Sequence, residues 1–233
     1  MAEYWIPRDV YVCITDGICV WFNVRQDRYG GTNAVRGSLG QLVEGWPITG
    51  ESVESREDIR AIAEDLLGRG LLTRDQRHGK AAAPASLEAA QYPLIADVSP
   101  LRPRVRWLHV WRFMSAVAMT FITLKVVSLR YSLSAGENCK RRAARQGKQA
   151  DLNATRELVA VFLWLSLFLT NKDSCLPYSL ALLRFLSYFG ISPSLAMGVA
   201  VNPFHAHCWI QEGPFVFNCD VDIAKSFKPI YVI

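Results

Sequence analysis

Apolar and polar positions alternate at the start of the chain. YVCIT and ICVWFNV carry hydrophobic residues in a period of two and are separated by Asp16-Gly17, which predicts a β-hairpin closed by a two-residue turn. A third short extended piece is predicted around residues 28–31, where Gly30-Gly31 ends it. The period then lengthens. Residues 34–44 read as helical, and in residues 55–69 Ile59, Ile62, Ala63, Leu66 and Leu67 fall on one helical face. Ser55 with Asp58 forms a capping-box start, and Gly68 with Gly70 supplies a stop. Residues 1–75 are therefore expected to form a compact unit of hairpin and helices.

From residue 76 to residue 103 periodic apolar positions are few and AAAPAS, PLIADVSP and LRP follow one another, which reads as a linker. Residues 104–233 are expected to form a second domain that opens with helices, at about 105–130, 136–148, 153–170 and 176–189. From Leu195 the period drops to two, and LAMGVAV, HCWIQE, FVFN and PIYVI read as strands. Helices first and an antiparallel sheet last define an α+β domain. Two apolar runs, 113–124 and 158–170, carry no charge. Each is shorter than the roughly 20 residues needed to span a bilayer, so both are expected to be buried or peripheral helices and no transmembrane segment is expected.

A chain of 233 residues accommodates one domain or two. Its formal charge of +5 is mild, and much of the excess lies in KRRAARQGK, residues 140–148, with five basic residues and no acidic one. Such a run suits nucleic acid, an anionic membrane or an acidic peptide, but equally a solvated helix face. The opening MAEYWIPRD lacks a basic start followed by an apolar segment, so a cytoplasmic location is expected. Cys13, Cys19, Cys139, Cys175, Cys208 and Cys219 lack the paired spacing of a zinc module and are expected to be reduced thiols.

NPFHAHCWIQEGPFVFNCD, residues 202–220, gathers two histidines, two cysteines and a carboxylate. A metal reading uses His205, His207, Cys208 and Cys219, but on a strand Cys208 points away from both histidines. A structural reading makes His207 a hydrogen-bonded core residue and the cysteines small apolar ones. A catalytic reading joins His207 to Cys175, which stands where polar NKDS gives way to an apolar helix with Pro177 in its first turn. A helix start stabilises a thiolate, a strand histidine supplies a base, and a carboxylate on the next strand, Asp220, fixes its tautomer.

The wording around these residues decides among the readings. SCLPYSLALLRFLSYFGI, the MGV strand, NPFHAHCWIQEG and FVFN resemble the C-terminal peptidase domain of the lasso peptide maturation B proteins, a papain/transglutaminase-like cysteine peptidase. The resemblance implies that Cys175 is the nucleophile and His207 the general base, that Trp209 completes the motif, and that His205 is a neighbour. In the family an aspartate directly follows the asparagine of the last motif. Here the order is Asn218-Cys219-Asp220, so Asp220 is expected as the acid, returned to register by a bulge, with Asp222 nearby.

The hairpin, VRQDRYGGTNAV and LLGRGLLT resemble the RiPP recognition element, a winged-helix-like domain that captures a leader peptide as an added strand. Arg25, Gln26, Asp27, Arg28, Tyr29 and Gly30 would then contact the leader, with helix 55–69 as the other wall. Without the resemblance this unit is a winged helix open to nucleic acid, but it has no concentrated basic face and no nucleic-acid partner is expected. The family implies leader removal from a lasso precursor in company with an asparagine-synthetase-like cyclase and an export transporter. It implies ATP through the cyclase, since no P-loop motif occurs here. No metal is expected. A transglutaminase or acyltransferase on the same triad, and a non-catalytic leader-delivery adaptor, remain the alternatives.

Overall fold

The structure is a computed structural model that describes residues 2–32, 38–46, 55–95, 103–146, 151–167 and 175–233. The chain divides into two compact units: Met1–Ser86 with Val199–His205 and Lys228–Tyr231, and Leu87–Gly198 with Ala206–Phe227 and Val232–Ile233.

In the first unit, β1 (Ile6–Pro7), β2 (Val10–Thr15), β3 (Ile18–Asn23) and β4 (Arg28–Thr32) precede α1 (Arg56–Gly68) and β5 (Gly79–Lys80). The hairpin β2–β3 has the expected register, Thr15 opposite Ile18. Its turn places Asp16 at φ 48° and Gly17 at φ 74°, left-handed positions that an Asp-Gly pair tolerates and that match strand twist. Residues 33–37 lie outside the described residues, so the helix expected at 34–44 is described only as a 3-10 turn, Ser38–Gln41.

Helix α1 begins as its capping box predicts: the Asp58 amide donates to Ser55 Oγ at 3.2 Å and the Ser55 amide to Asp58 Oδ2 at 3.3 Å. It ends with Leu71 N–H on the Leu66 carbonyl and Gly70 N–H on that of Leu67, the paired closure of a Schellman motif. Ile59, Ala63 and Leu66 are buried with Tyr4, Trp21, Leu39 and Trp46 in one core. The stretch expected as a linker contributes to both units. β5 pairs with β1, and Ala82 joins this core.

The elements that follow are β6 (Tyr92–Pro93), α2 (Trp107–Ile122), α3 (Leu129–Arg145), α4 (Leu152–Ser166), α5 (Cys175–Ser187), β7 (Ser194–Val201), β8 (Phe204–Glu212), β9 (Phe215–Val216), α6 (Val221–Ser226) and β10 (Lys228–Val232), which belong to the second unit except for the end of β7, the start of β8 and most of β10. The strands are ordered β10-β7-β8-β9-β6. β6 runs parallel to β9, so the sheet is mixed where an antiparallel one was expected. The parallel strand comes from residues whose two-residue extent gave no periodicity to read.

The helix boundaries also shift. A π-helical turn, Thr123–Val127, follows α2, and Ser128 then adopts φ −176° and caps α3 by accepting from the Tyr131 amide. The described part of the basic run forms the last turn of α3. There Arg142 and Arg145 meet the negative end of the helix dipole, and Arg141 pairs with Glu137 at 2.6 Å. α4 is capped by Asp151, and its expected extension to residue 170 lies outside the described residues. Trp107–Val127, 21 residues, is long and apolar enough by length and composition to cross a membrane. One face of it, Phe113, Ala116, Val117 and Thr120, is nevertheless buried.

Candidate functional site

Helix α5 is the most deeply buried helix of the second unit, with every residue from Ser179 to Ser187 buried. Cys175 is its first described residue and is half-buried. Ser179, one turn later, shares its face, since positions four apart stack along a helix. The Ser179 hydroxyl donates to the Cys208 carbonyl at 3.0 Å, and Asn218 Nδ2 donates to Ser179 Oγ at 2.8 Å. Asn218 Oδ1 in turn accepts from the Ile210 amide at 2.8 Å. Ser179 and Asn218 thus clamp α5 to β8 at the residue after His207. Sequence reading assigned neither a role. The i+4 spacing from Cys175 was the available signal for Ser179, and for Asn218 it was the residue's place at the end of the FVFN motif.

Around this clamp the thiols of Cys208 and Cys219 lie near Cys175. Burial pushes the Cys208 thiol well up. The Cys219 thiol is pushed up to about 12 by burial, reinforced by Asp220 and Cys175. Both therefore remain protonated at neutral pH.

His207 occupies a slot on the other face of β8 from Cys208, as alternation requires. Its ring stacks with Trp209 at 6.1 Å and 15° and lies 5.2 Å from Phe227. Gly198 makes room for this packing, because a Cβ there would come within 2.9 Å of the Trp209 ring and 2.8 Å of Phe227. Trp209 is fixed by its Nε1–H, which donates to Gln211 Oε1 at 2.9 Å. Gln211 Nε2 donates to the Glu88 and Gly213 carbonyls. Burial lowers the His207 pKa below 6.5, so the imidazole is neutral. Its Nε2 is buried without a hydrogen-bond partner, which costs roughly 1–3 kcal/mol.

Asp220 is exposed and acts as the N-cap of α6, its Oδ1 accepting from the Asp222 amide at 2.8 Å. Asp222 is exposed in the first turn of the same helix. Helix α6 was not anticipated from the sequence, although Asp220 before VDIAKS is an N-cap signal. Among the described residues no hydrogen bond joins Cys175, His207 and Asp220 to one another. His205 is exposed. Among the described residues no group of three or more His, Cys, Asp or Glu is arranged to hold a metal ion.

In the first unit, Arg25, Gln26 and Asp27 form the exposed β3–β4 turn. Asn23 Oδ1 accepts from the amides of Arg25 and Gln26 at 3.0 and 3.1 Å. Arg28, Tyr29 and Gly30 lie in β4, the last strand of the order β2-β3-β4. Tyr29 stacks on Phe22 at 4.4 Å. A pocket of about 380 Å³ beside this strand is lined by Ile18, Val20, Tyr29, Gly30, Gly31, Val201 and Phe204.

The helix that carries Cys175 is thus tied to the strand that carries His207. Residues 116–232, half of the chain, match the transglutaminase-like superfamily, and the chain belongs to it. A stretch of 47 residues is 43% identical to the Microcin J25-processing protein McjB of Escherichia coli. That stretch is 20% of this chain and covers 23% of the relative, less than a quarter of its length. No solved structure matches the chain.

Proposed function

We propose that this protein is a cysteine peptidase that removes the leader from a ribosomally made precursor of lasso type. The observation that carries this reading is the Ser179–Asn218 clamp, which fixes the Cys175 helix on the strand of His207 in a chain of the transglutaminase-like superfamily. The match to a microcin-processing protein supports the substrate class.

In this reading His207, neutral because it is buried, accepts the Cys175 thiol proton as Sγ attacks the scissile carbonyl. The tetrahedral adduct collapses to an acyl-thioester on the leader. His207 returns the proton to the departing amine of the core peptide, and water attacks the thioester with His207 again as base. Attack requires the imidazole to turn out of its slot toward Cys175. The unpartnered Nε2 is the atom a carboxylate would orient, and Asp220 is the carboxylate assigned to it, released from its cap on α6.

The edge strand β4 supports leader capture by β-augmentation. Arg25 to Gly30 form the receiving turn and strand, α1 the other wall, and the neighbouring pocket takes a leader side chain. An asparagine-synthetase-like cyclase and an exporter complete the proposed cytoplasmic assembly. ATP is assigned to that cyclase, and no step described for this chain passes through it.

The test is mass spectrometry of a cognate precursor incubated with the protein, cyclase and ATP. Wild type should release intact leader and core, and Cys175→Ala should release neither. Processing by Cys175→Ala at the wild-type rate overturns the reading in favour of an adaptor. Incorporation of an added amine at the leader's new carboxyl end, instead of a free acid, indicates a transferase.

A further inference from the structure

Helix α2 presents an apolar face that the described residues leave uncovered. Trp107, Trp111, Met114 and Ile122 of α2, with Val126 of the π-helical turn that follows, fall along one side, with exposures of 80%, 67%, 53%, 52% and 76%. Leu108 and Met119 widen the stripe. Only 28% of the most apolar part of this helix is buried. A stripe of this length with two exposed tryptophans exceeds the scattered apolar exposure of ordinary surfaces.

The charge around the stripe selects its occupant. Between residues 103 and 146 the chain has nine Lys and Arg and one acidic residue, Glu137. Arg104 and Arg106 are exposed immediately before Trp107, and Lys125 is exposed between Ile122 and Val126. Apolar side chains with Trp on one face and cations at its ends describe a helix that lies in a lipid interface. Crossing the bilayer is disfavoured because the opposite face is committed to the core, and Arg184 Nη2 donates to Thr123 Oγ1 at 3.1 Å at the helix end.

The geometry points to the exposed face of α2 as a docking site for an anionic membrane surface. The stripe enters the headgroup and acyl boundary, and the flanking cations meet lipid phosphates. This site is independent of the peptidase reading.

The experiment is co-sedimentation of the full chain with vesicles of equal parts phosphatidylglycerol and phosphatidylcholine, beside vesicles of phosphatidylcholine alone. Wild type should sediment with the anionic vesicles, and high salt should release it. Trp107→Ser with Trp111→Ser should weaken binding about tenfold, and Lys125→Gln about fivefold, both with unchanged circular dichroism. The inference is overturned if wild type stays in the supernatant or binds neutral vesicles equally well. It is also overturned if sedimentation velocity without lipid shows a dimer that the double variant converts to monomer, since a second copy would then cover the face. A stable complex with the cyclase that the double variant abolishes, without lipid binding by wild type, would assign the face to a protein partner.

Discussion

Helices α2 and α5 are made of the same kind of residue and are used in opposite ways. α5 is enclosed continuously from Ser179 to Ser187, including Arg184, whose guanidinium burial lowers its pKa and whose Nη2 finds Thr123. α2 buries one face and exposes the other as Trp107, Trp111 and Met114. The difference teaches that apolar composition sets how much burial a helix can use, while its neighbours set how much it receives. For α5 the enclosure from Ser179 to Ser187 fixes the helix on which Cys175 stands half-buried. For α2 the uncovered half is surface available for docking.

The largest effect should come from opening the enclosed helix. Phe185, 0% exposed and packed on Phe162 and Phe189, should cost about 3–5 kcal/mol as Phe185→Ala, read from the denaturant midpoint. A loss below about 1 kcal/mol would mean that α5 is less tightly held than its burial indicates.

Cutting the clamp should cost less in stability and more in function. Ser179→Ala leaves the Cys208 carbonyl and the Asn218 amide without their partner, for about 1–3 kcal/mol. Leader cleavage should fall further than stability explains, because the Cys175 helix loses its registration on β8. Measuring cleavage at a temperature where the variant is fully folded separates the two effects.

On α2 the expected change is small. Trp111→Ser should alter stability by within about 0.5 kcal/mol, and a thermal melt checks it. A loss as large as that of Phe185→Ala would show that the face is covered and would erase the contrast between the two helices.

The slot beside the clamp gives a pH signature. The folded pKa of His207 is lowered, with burial as the cause, so the unfolded chain binds its proton more readily. Stability from this group is therefore fully present above the ordinary value of 6.5 and declines as pH falls through 6.5 toward the folded value. His207→Gln should flatten that part of the stability–pH curve. An unchanged slope would place the imidazole in water.

The parts of the fold legible in the sequence were those set by neighbours along the chain. The Asp16-Gly17 turn, the Ser55–Asp58 capping box and the apolar face of α1 all depend on interactions within a few residues, and all appear in the structure. Helix α6 and β6 were not legible. The first is six residues long and the second two, too short for a period, and β6 exists only because β9 lies alongside. At the candidate site, the helix that carries Cys175 and the strand that carries His207 were legible from their periodicities. The Asn218 link was not, since its partners lie 39 and 8 positions away.

By itself the sequence determined the residue types with the required chemistry, the periodicities that make α5 a helix and β8 a strand, and the resemblance that ties them. Tertiary structure alone decided that Ser179 and Asn218 join those elements, that burial keeps His207 neutral with Nε2 unpartnered, and that Asp220 caps α6. It also decided that α2 keeps one apolar face in the open. The physical reason is range: turns and caps form between residues a few bonds apart, whereas burial and long-range hydrogen bonds exist only once the distant partner has been packed into place.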